Sequence, residues 1–167
     1  MMNAKLIVAD AGPLIALAVG GVLLPCITLL GGLIVPEAVL RECTTDVSAP
    51  GATELQNAGD SGQFKIIPAA SLMPLDAAYA QGLGGGEIAV LAYAAQHTLL
   101  ALVDERRARQ VAVRLKVRIV GSGTIIAQLK RQGLIESVQP VLSRWKQHGY
   151  FVSAAVASDI LRMAGET

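Results

Sequence analysis

Lys5-Leu6-Ile7-Val8-Ala9-Asp10-Ala11-Gly12-Pro13 is the stretch on which the reading of this chain turns. Leu6 to Ala9 is an unbroken apolar run, as a strand buried on both faces shows, and Ala11-Gly12-Pro13 breaks it and starts a helix. Asp10 stands at the junction. In open parallel sheets ligands bind beyond the carboxyl ends of the strands, so a carboxylate there is placed for chemistry. Aspartate is also a good helix cap, and for Asp10 taken alone both readings stay open. A second copy of the arrangement shifts the balance: Leu99 to Val103 is another apolar run, and it ends in Asp104 before a helix. Two parallel neighbouring strands would bring both carboxylates to one sheet edge.

Outward from these strands the chain alternates between short apolar runs and helical patterns. Pro13 to Val19 and Val22 to Leu30 read as two short helices, Leu33 to Val35 as a strand, and Pro36 opens a helix carrying Glu37 and Glu42. At about 100° per residue these two acids point roughly 140° apart, so only one can face a common site. Glu37 suits the helix dipole in the first turn, which leaves Glu42. Residues 44–62 read as a loop with a short helix and Phe64 to Ile67 as a strand, with Asp46, Glu54, Asp60 and Asp76 in solvent. Gly82 to Gly86 lets a wholly apolar, and so buried, helix over Ile88 to Ala95 start close against another backbone, with Glu87 in its first turn. As a nucleotide fingerprint GLGGGE fails, because no strand precedes it and Glu87 replaces the last glycine.

Helix 105–116 has an apolar stripe at Ala108, Val111, Ala112 and Leu115, with Arg106, Arg107, Arg109 and Arg114 outside it. Those arginines form either a solvated face or a contact for a substrate backbone. Val117 to Val120 makes a last strand, and Gly121-Ser122-Gly123-Thr124 precedes a helix that stops at Gly133. Val138, Val141, Leu142 and Trp145 stripe one further helix, and Ser153 caps a final one containing Val156, Ile160 and Leu161. The pattern predicts one α/β domain over residues 1–167, with 134–167 as a helical C-terminal extension.

Composition narrows the function. Charged residues are 16% of the 167, below the roughly 25% of average proteins, so each acid invites a question. A net charge of +1 excludes a strongly basic nucleic-acid binder, so any substrate charge must be met locally. Cys26 and Cys43 show no C-x-x-C pattern and no secretory leader is evident, which points to buried reduced thiols and a cytoplasmic protein. Two histidines leave little scope for imidazole chemistry. Ala11 to Pro36 carries no charge and is long enough for a membrane span, but Gly20-Gly21, Pro25 and Gly31-Gly32 cut it into short pieces, so no membrane association is expected.

Asp10, Glu42, Glu87 and Asp104 thus recur beside strand ends or helix starts that could flank one edge. Four carboxylates without cations would repel one another and lose ionisation, so such a site implies Mg²⁺ or Mn²⁺, hard cations that take oxygen ligands. Acid-bound Mg²⁺ without histidine or cysteine serves chiefly phosphoryl transfer.

The residues resemble the PIN-domain ribonucleases, whose VapC-type members are toxins of bacterial and archaeal toxin–antitoxin pairs. VADAGPLIAL resembles the first-strand motif with its metal-binding aspartate, here Asp10, and VPEAVLRE the segment supplying the second acid, here Glu42. GGGEIAVLAYA is similar to the variant whose third acid is a glutamate, Glu87, and LVDERRAR to the segment carrying the fourth, Asp104. GSGTIIAQLKRQGLI and FVSAAVASDILRMAGE resemble a subgroup with a helical C-terminal extension. The resemblance implies a three-layer α/β/α sandwich with a parallel central sheet and Mg²⁺- or Mn²⁺-dependent hydrolysis of RNA. It makes Asp10, Glu87 and Asp104 metal ligands, and has Glu42 complete the cage and orient the attacking water. It also implies a homodimer and a small antitoxin partner. Ala11 stands where many members carry a hydroxyl, and Glu105 where a second aspartate often follows. Ser122 and Thr124 offer replacement hydroxyls and, with Arg106 and Arg109, are the expected substrate-binding residues. The alternative is a PIN-fold binding or regulatory module with weak or no catalysis, for which Ala11 speaks most.

Overall fold

Ile7–Ala9 forms β1, and all three residues are buried, which is why plain hydrophobes without alternation suit it. It is the middle strand of a five-stranded sheet with β2 (Leu33–Pro36), β3 (Phe64–Ile67), β4 (Leu100–Leu102) and β5 (Ile119–Val120), all parallel, in the order β3-β2-β1-β4-β5. The computed structural model describes residues 6–166. Residues 1–5 and Thr167, the two ends of the expected domain, lie outside the described residues.

Among the described residues ten α-helices flank the sheet and make the chain an α/β/α sandwich. They are α1 (Ala11–Val19), α2 (Leu23–Leu30), α3 (Glu37–Thr44), α4 (Ala52–Asp60), α5 (Ala77–Ala80), α6 (Gly85–His97), α7 (Arg106–Arg114), α8 (Ser122–Arg131), α9 (Gln139–Gln147) and α10 (Ala154–Ala164). The short α5 has no buried residue and so left no apolar stripe to read in the sequence. The glycine-serine stretch expected before α8 is instead its beginning: Gly121 takes the N-cap, and Ser122, Gly123 and Thr124 lie in the first turn.

The sheet grows from β1 through β2 to β3 on one side, then restarts with β4 on the other. The β1–β4 boundary is therefore a topological switch point, where a crevice opens beyond the carboxyl ends of the strands. Ala9 pairs with Leu102 in register, and the Asp10 N–H donates to the Leu102 carbonyl at 3.0 Å. Asp10 and Asp104 leave these two strands side by side.

The uncharged segment folds into α1, α2 and β2. Its two helices are bent by 120° to each other, and no single helix among the described residues is long and apolar enough to cross a membrane. Gly21, at φ 73°, makes the left-handed turn between them. Most of the segment is core, with Leu24 left 57% exposed. Cys26 and Cys43 are free and buried, and burial pushes both thiols up to about 12.

The C-terminal helices share the same hydrophobic core, which runs from Ile7 to Ala164. Trp145 is fully buried, and its indole N–H donates to the Ala16 carbonyl of α1 at 2.8 Å. Arg144 donates to the Gly20 carbonyl at 2.9 Å. Beyond α10, Glu166 accepts from the Ser137 hydroxyl and the Val138 N–H, both at 2.7 Å, and so ties the chain end to the start of α9.

Candidate active site

Asp10 takes the N-cap position of α1 yet makes no side-chain capping hydrogen bond, so capping does not account for its carboxylate. It is 5% exposed at the inner end of a cavity of about 550 Å³ lined also by Glu42, Glu87, Asp104, Glu105, Tyr150 and Phe151. Burial raises the Asp10 carboxyl from its ordinary 3.8 to about 6. The Ala11 N–H pulls against this rise, while the charges of Glu87, Glu42 and Asp104 add to it. The four acids therefore lie within one another's field. They grade from Asp10, buried, through Glu87 and Asp104, half-buried, to Glu42, exposed at the mouth. Glu37 pairs instead with Arg41 on the surface at 3.6 Å, as its angle around α3 requires.

Gly86 makes room for this cluster. A β-carbon there would stand 2.8 Å from Glu42 Oε2 and 3.9 Å from Asp10 Oδ1. The glycine-rich entry was expected to admit another backbone; what presses on Gly86 is the Glu42 carboxylate together with the Val39 side chain at 3.3 Å. Gly86→Ala should thus push the Glu42 carboxylate aside while helix propensity gains roughly 1 kcal/mol. Thermal melts should show the variant at least as stable as the parent, and calorimetric titration with Mn²⁺ should show weaker binding. Unchanged Mn²⁺ affinity would remove Glu42 from the site.

The remaining acids are held by the protein. Glu87 accepts the Gly84 N–H at 2.9 Å and so caps its own helix. Asp104 accepts the Ser122 N–H at 2.8 Å, the Ser122 hydroxyl at 2.6 Å and a short hydrogen bond from the Tyr150 hydroxyl. Burial, then the charge of Asp104, pushes the Tyr150 phenol above its ordinary value, so it stays a donor. Ser122, expected among the substrate-binding residues, is 3% exposed and spends both its N–H and its hydroxyl on orienting Asp104. Glu105 caps α7 by accepting the Ala108 N–H at 2.8 Å.

The arginines of α7 divide between two faces. Arg106 and Arg109 line a second cavity of about 520 Å³ behind Asp104, together with Thr124. Arg109 also donates to the Val103 carbonyl at 3.1 Å and lies 3.8 Å from Asp104, so it is partly committed to the acid site. Arg107 donates to the Gln81 carbonyl at 2.8 Å, and Arg114 sits 4.9 Å over the Tyr79 ring. Tyr150 and Phe151 belong to no apolar stripe and are not among the residues expected at the site. The available signal was Gly149-Tyr150-Phe151 between two amphipathic helices, in a chain with three tyrosines and two phenylalanines.

The donor set is that of a hard-cation site: the ionisable groups of the cavity are carboxylates and the Tyr150 phenol, without thiol or imidazole, and Gly86 leaves the space Glu42 and Asp10 share. Among the described residues, however, no three such side chains stand close enough to hold a metal ion as arranged. Glu87 is bonded to Gly84, and Asp104 to Ser122 and Tyr150, in that arrangement.

A family model described as PIN domain matches residues 6–166. The chain belongs to the PIN-domain family. PIN domains are nuclease folds that typically use divalent metal ions, and the match to this one runs through α9 and α10. No protein of curated function matches the chain.

Proposed function

We propose that this PIN domain is a Mg²⁺- or Mn²⁺-dependent endoribonuclease hydrolysing RNA phosphodiester bonds, and that it is the toxin of a toxin–antitoxin pair. The observation that carries the nuclease reading is the convergence of four carboxylates on one cavity at the β1–β4 edge, with Asp10 disfavoured as an anion by its burial and, beyond that, by the other three. Asp10, Glu87 and Asp104 would hold the cation, which when bound polarises a phosphodiester and activates water. Glu42, exposed at the mouth, would orient the attacking water and accept its proton. Ser122 and Tyr150 fix the direction of Asp104, and Arg106 offers the cavity side a positive charge for the RNA backbone.

The purified protein should cut an end-labelled single-stranded RNA internally in Mn²⁺ and leave it intact in EDTA. The toxin assignment rests on the sequence resemblance. Its test is growth arrest on expression, relieved by co-expression of a small inhibitory partner and absent for Asp10→Asn. A second reading, a binding module without turnover, is favoured by the hydrogen bonds that already occupy Asp104 and by the spacing of the acids. RNA bound but uncut across a Mn²⁺ titration would select it.

A further inference from the structure

Phe151 is 83% exposed, in the segment between α9 and α10. Its neighbour is fixed. The Tyr150 N–H donates to the Trp145 carbonyl at 2.8 Å, its ring lies 5.1 Å from the buried Trp145 ring, and its hydroxyl is bonded to Asp104. The chain thus carries Phe151 to a set place at the rim where the acid cavity and the second cavity meet, along Asp104, Tyr150 and Phe151. The second cavity is lined by Arg106, Arg109 and Thr124, by the acids Asp104 and Asp159, and by Val156, Ile160 and Met163 among its apolar side chains. Asp159 is paired with Arg162 at 3.0 Å, and Asp104 lies 3.8 Å from Arg109. Val156 of α10 lines this space and is 45% exposed.

Charge decides what could occupy it. Five acids line the first cavity, so an RNA strand gains no affinity there before cations neutralise them. Attraction has to come from Arg106 and the aromatic ring next door, since the acids Asp104 and Asp159 there are met by Arg109 and Arg162. A volume of about 520 Å³ lies within the range of small-ligand cavities and admits one nucleotide. A base paired in a duplex has both faces stacked, whereas an unpaired base can leave the strand and lie on an aromatic ring.

We infer that the second cavity is a nucleobase subsite, in which Phe151 stacks on an unpaired base beside the scissile phosphate and Arg106 meets a neighbouring phosphate. The inference rests on the nuclease reading above, and its test separates the two.

In an Asp10→Asn background, which stops turnover, a short single-stranded RNA carrying 2-aminopurine is titrated with protein. The expected result is fluorescence quenched on binding. Phe151→Ala should weaken binding about tenfold and abolish the quench, and Phe151→Trp should restore both. Stacking carries no charge, so Phe151→Ala should leave the slope of log affinity against log salt unchanged, while Arg106→Gln lowers it by roughly 0.7. Equal affinity and quench in Phe151→Ala would overturn the subsite. A light-scattering shift from dimer to monomer in Phe151→Ala with RNA affinity intact would also overturn it, assigning the ring to a protein interface. Both outcomes leave the nuclease reading standing, since that reading falls separately if the wild-type chain cuts no RNA in Mn²⁺.

Discussion

Asp10→Asn should raise the melting temperature of the metal-free protein by roughly 3–6 °C at about pH 8, and the gain should vanish at about pH 4. Burial and three acidic neighbours lift the Asp10 carboxyl from 3.8 to about 6 in the folded chain. A carboxyl whose folded value is raised contributes stability that is fully present below its unfolded value and is lost as pH rises through the folded one. Here that window runs from 3.8 to about 6, and above it the ionised group costs roughly 3 kcal/mol. Asparagine removes the charge but keeps an amide to bury, so about half of that cost should be recovered. For a chain of this length about 2–4 °C accompanies each kcal/mol. Added Mn²⁺ should narrow the gap by stabilising the parent more than the variant. Differential scanning calorimetry across pH reads all three effects. A destabilised variant at pH 8 would mean that the carboxylate makes a structural bond instead.

Trp145→Ala should have the largest effect on stability, about 3–5 kcal/mol, or roughly 10–15 °C. The indole is fully buried, bonded to Ala16 and packed beside Tyr150, so its loss empties a cavity between α1 and α9 and releases the ring that holds Asp104. Trp145→Phe keeps an aromatic ring there and should cost less than half as much. Urea denaturation measures both. A loss under about 1 kcal/mol for Trp145→Ala would show that the C-terminal helices fold apart from the sheet.

What was legible in the sequence followed from periodicity and from the edge rule. Parallel strands buried on both faces read as plain apolar runs, so Leu6–Ala9 and Leu99–Val103 declared themselves, and an acid at the end of each had to emerge at the carboxyl edge. The angle between Glu37 and Glu42 admitted only one of them to a common site, and the helix dipole's claim on Glu37 in the first turn left Glu42. The same arithmetic, applied to α7, would have separated Arg106 and Arg109 from Arg107 and Arg114, since residues three apart share a face. Tyr150 and Phe151 were not legible, because the stripes of α9 and α10 report which sides are buried and not where the intervening segment lies. Ser122 was read as a hydroxyl for substrate; its commitment to Asp104 depends on β5, which α8 follows directly, pairing beside β4, a neighbourhood no local spacing encodes.

Under the proposed function Asp10, Glu42, Glu87 and Asp104 act as one metal-dependent site. Single-turnover cleavage of a single-stranded RNA in Mn²⁺, with Asp10→Asn and Asp104→Asn beside the parent, tests it most directly. Internal products are expected for the parent only, with each variant slowed beyond the roughly 10- to 100-fold typical of losing an outer-shell partner while remaining folded. Cleavage by Asp10→Asn at the parent's rate would contradict it.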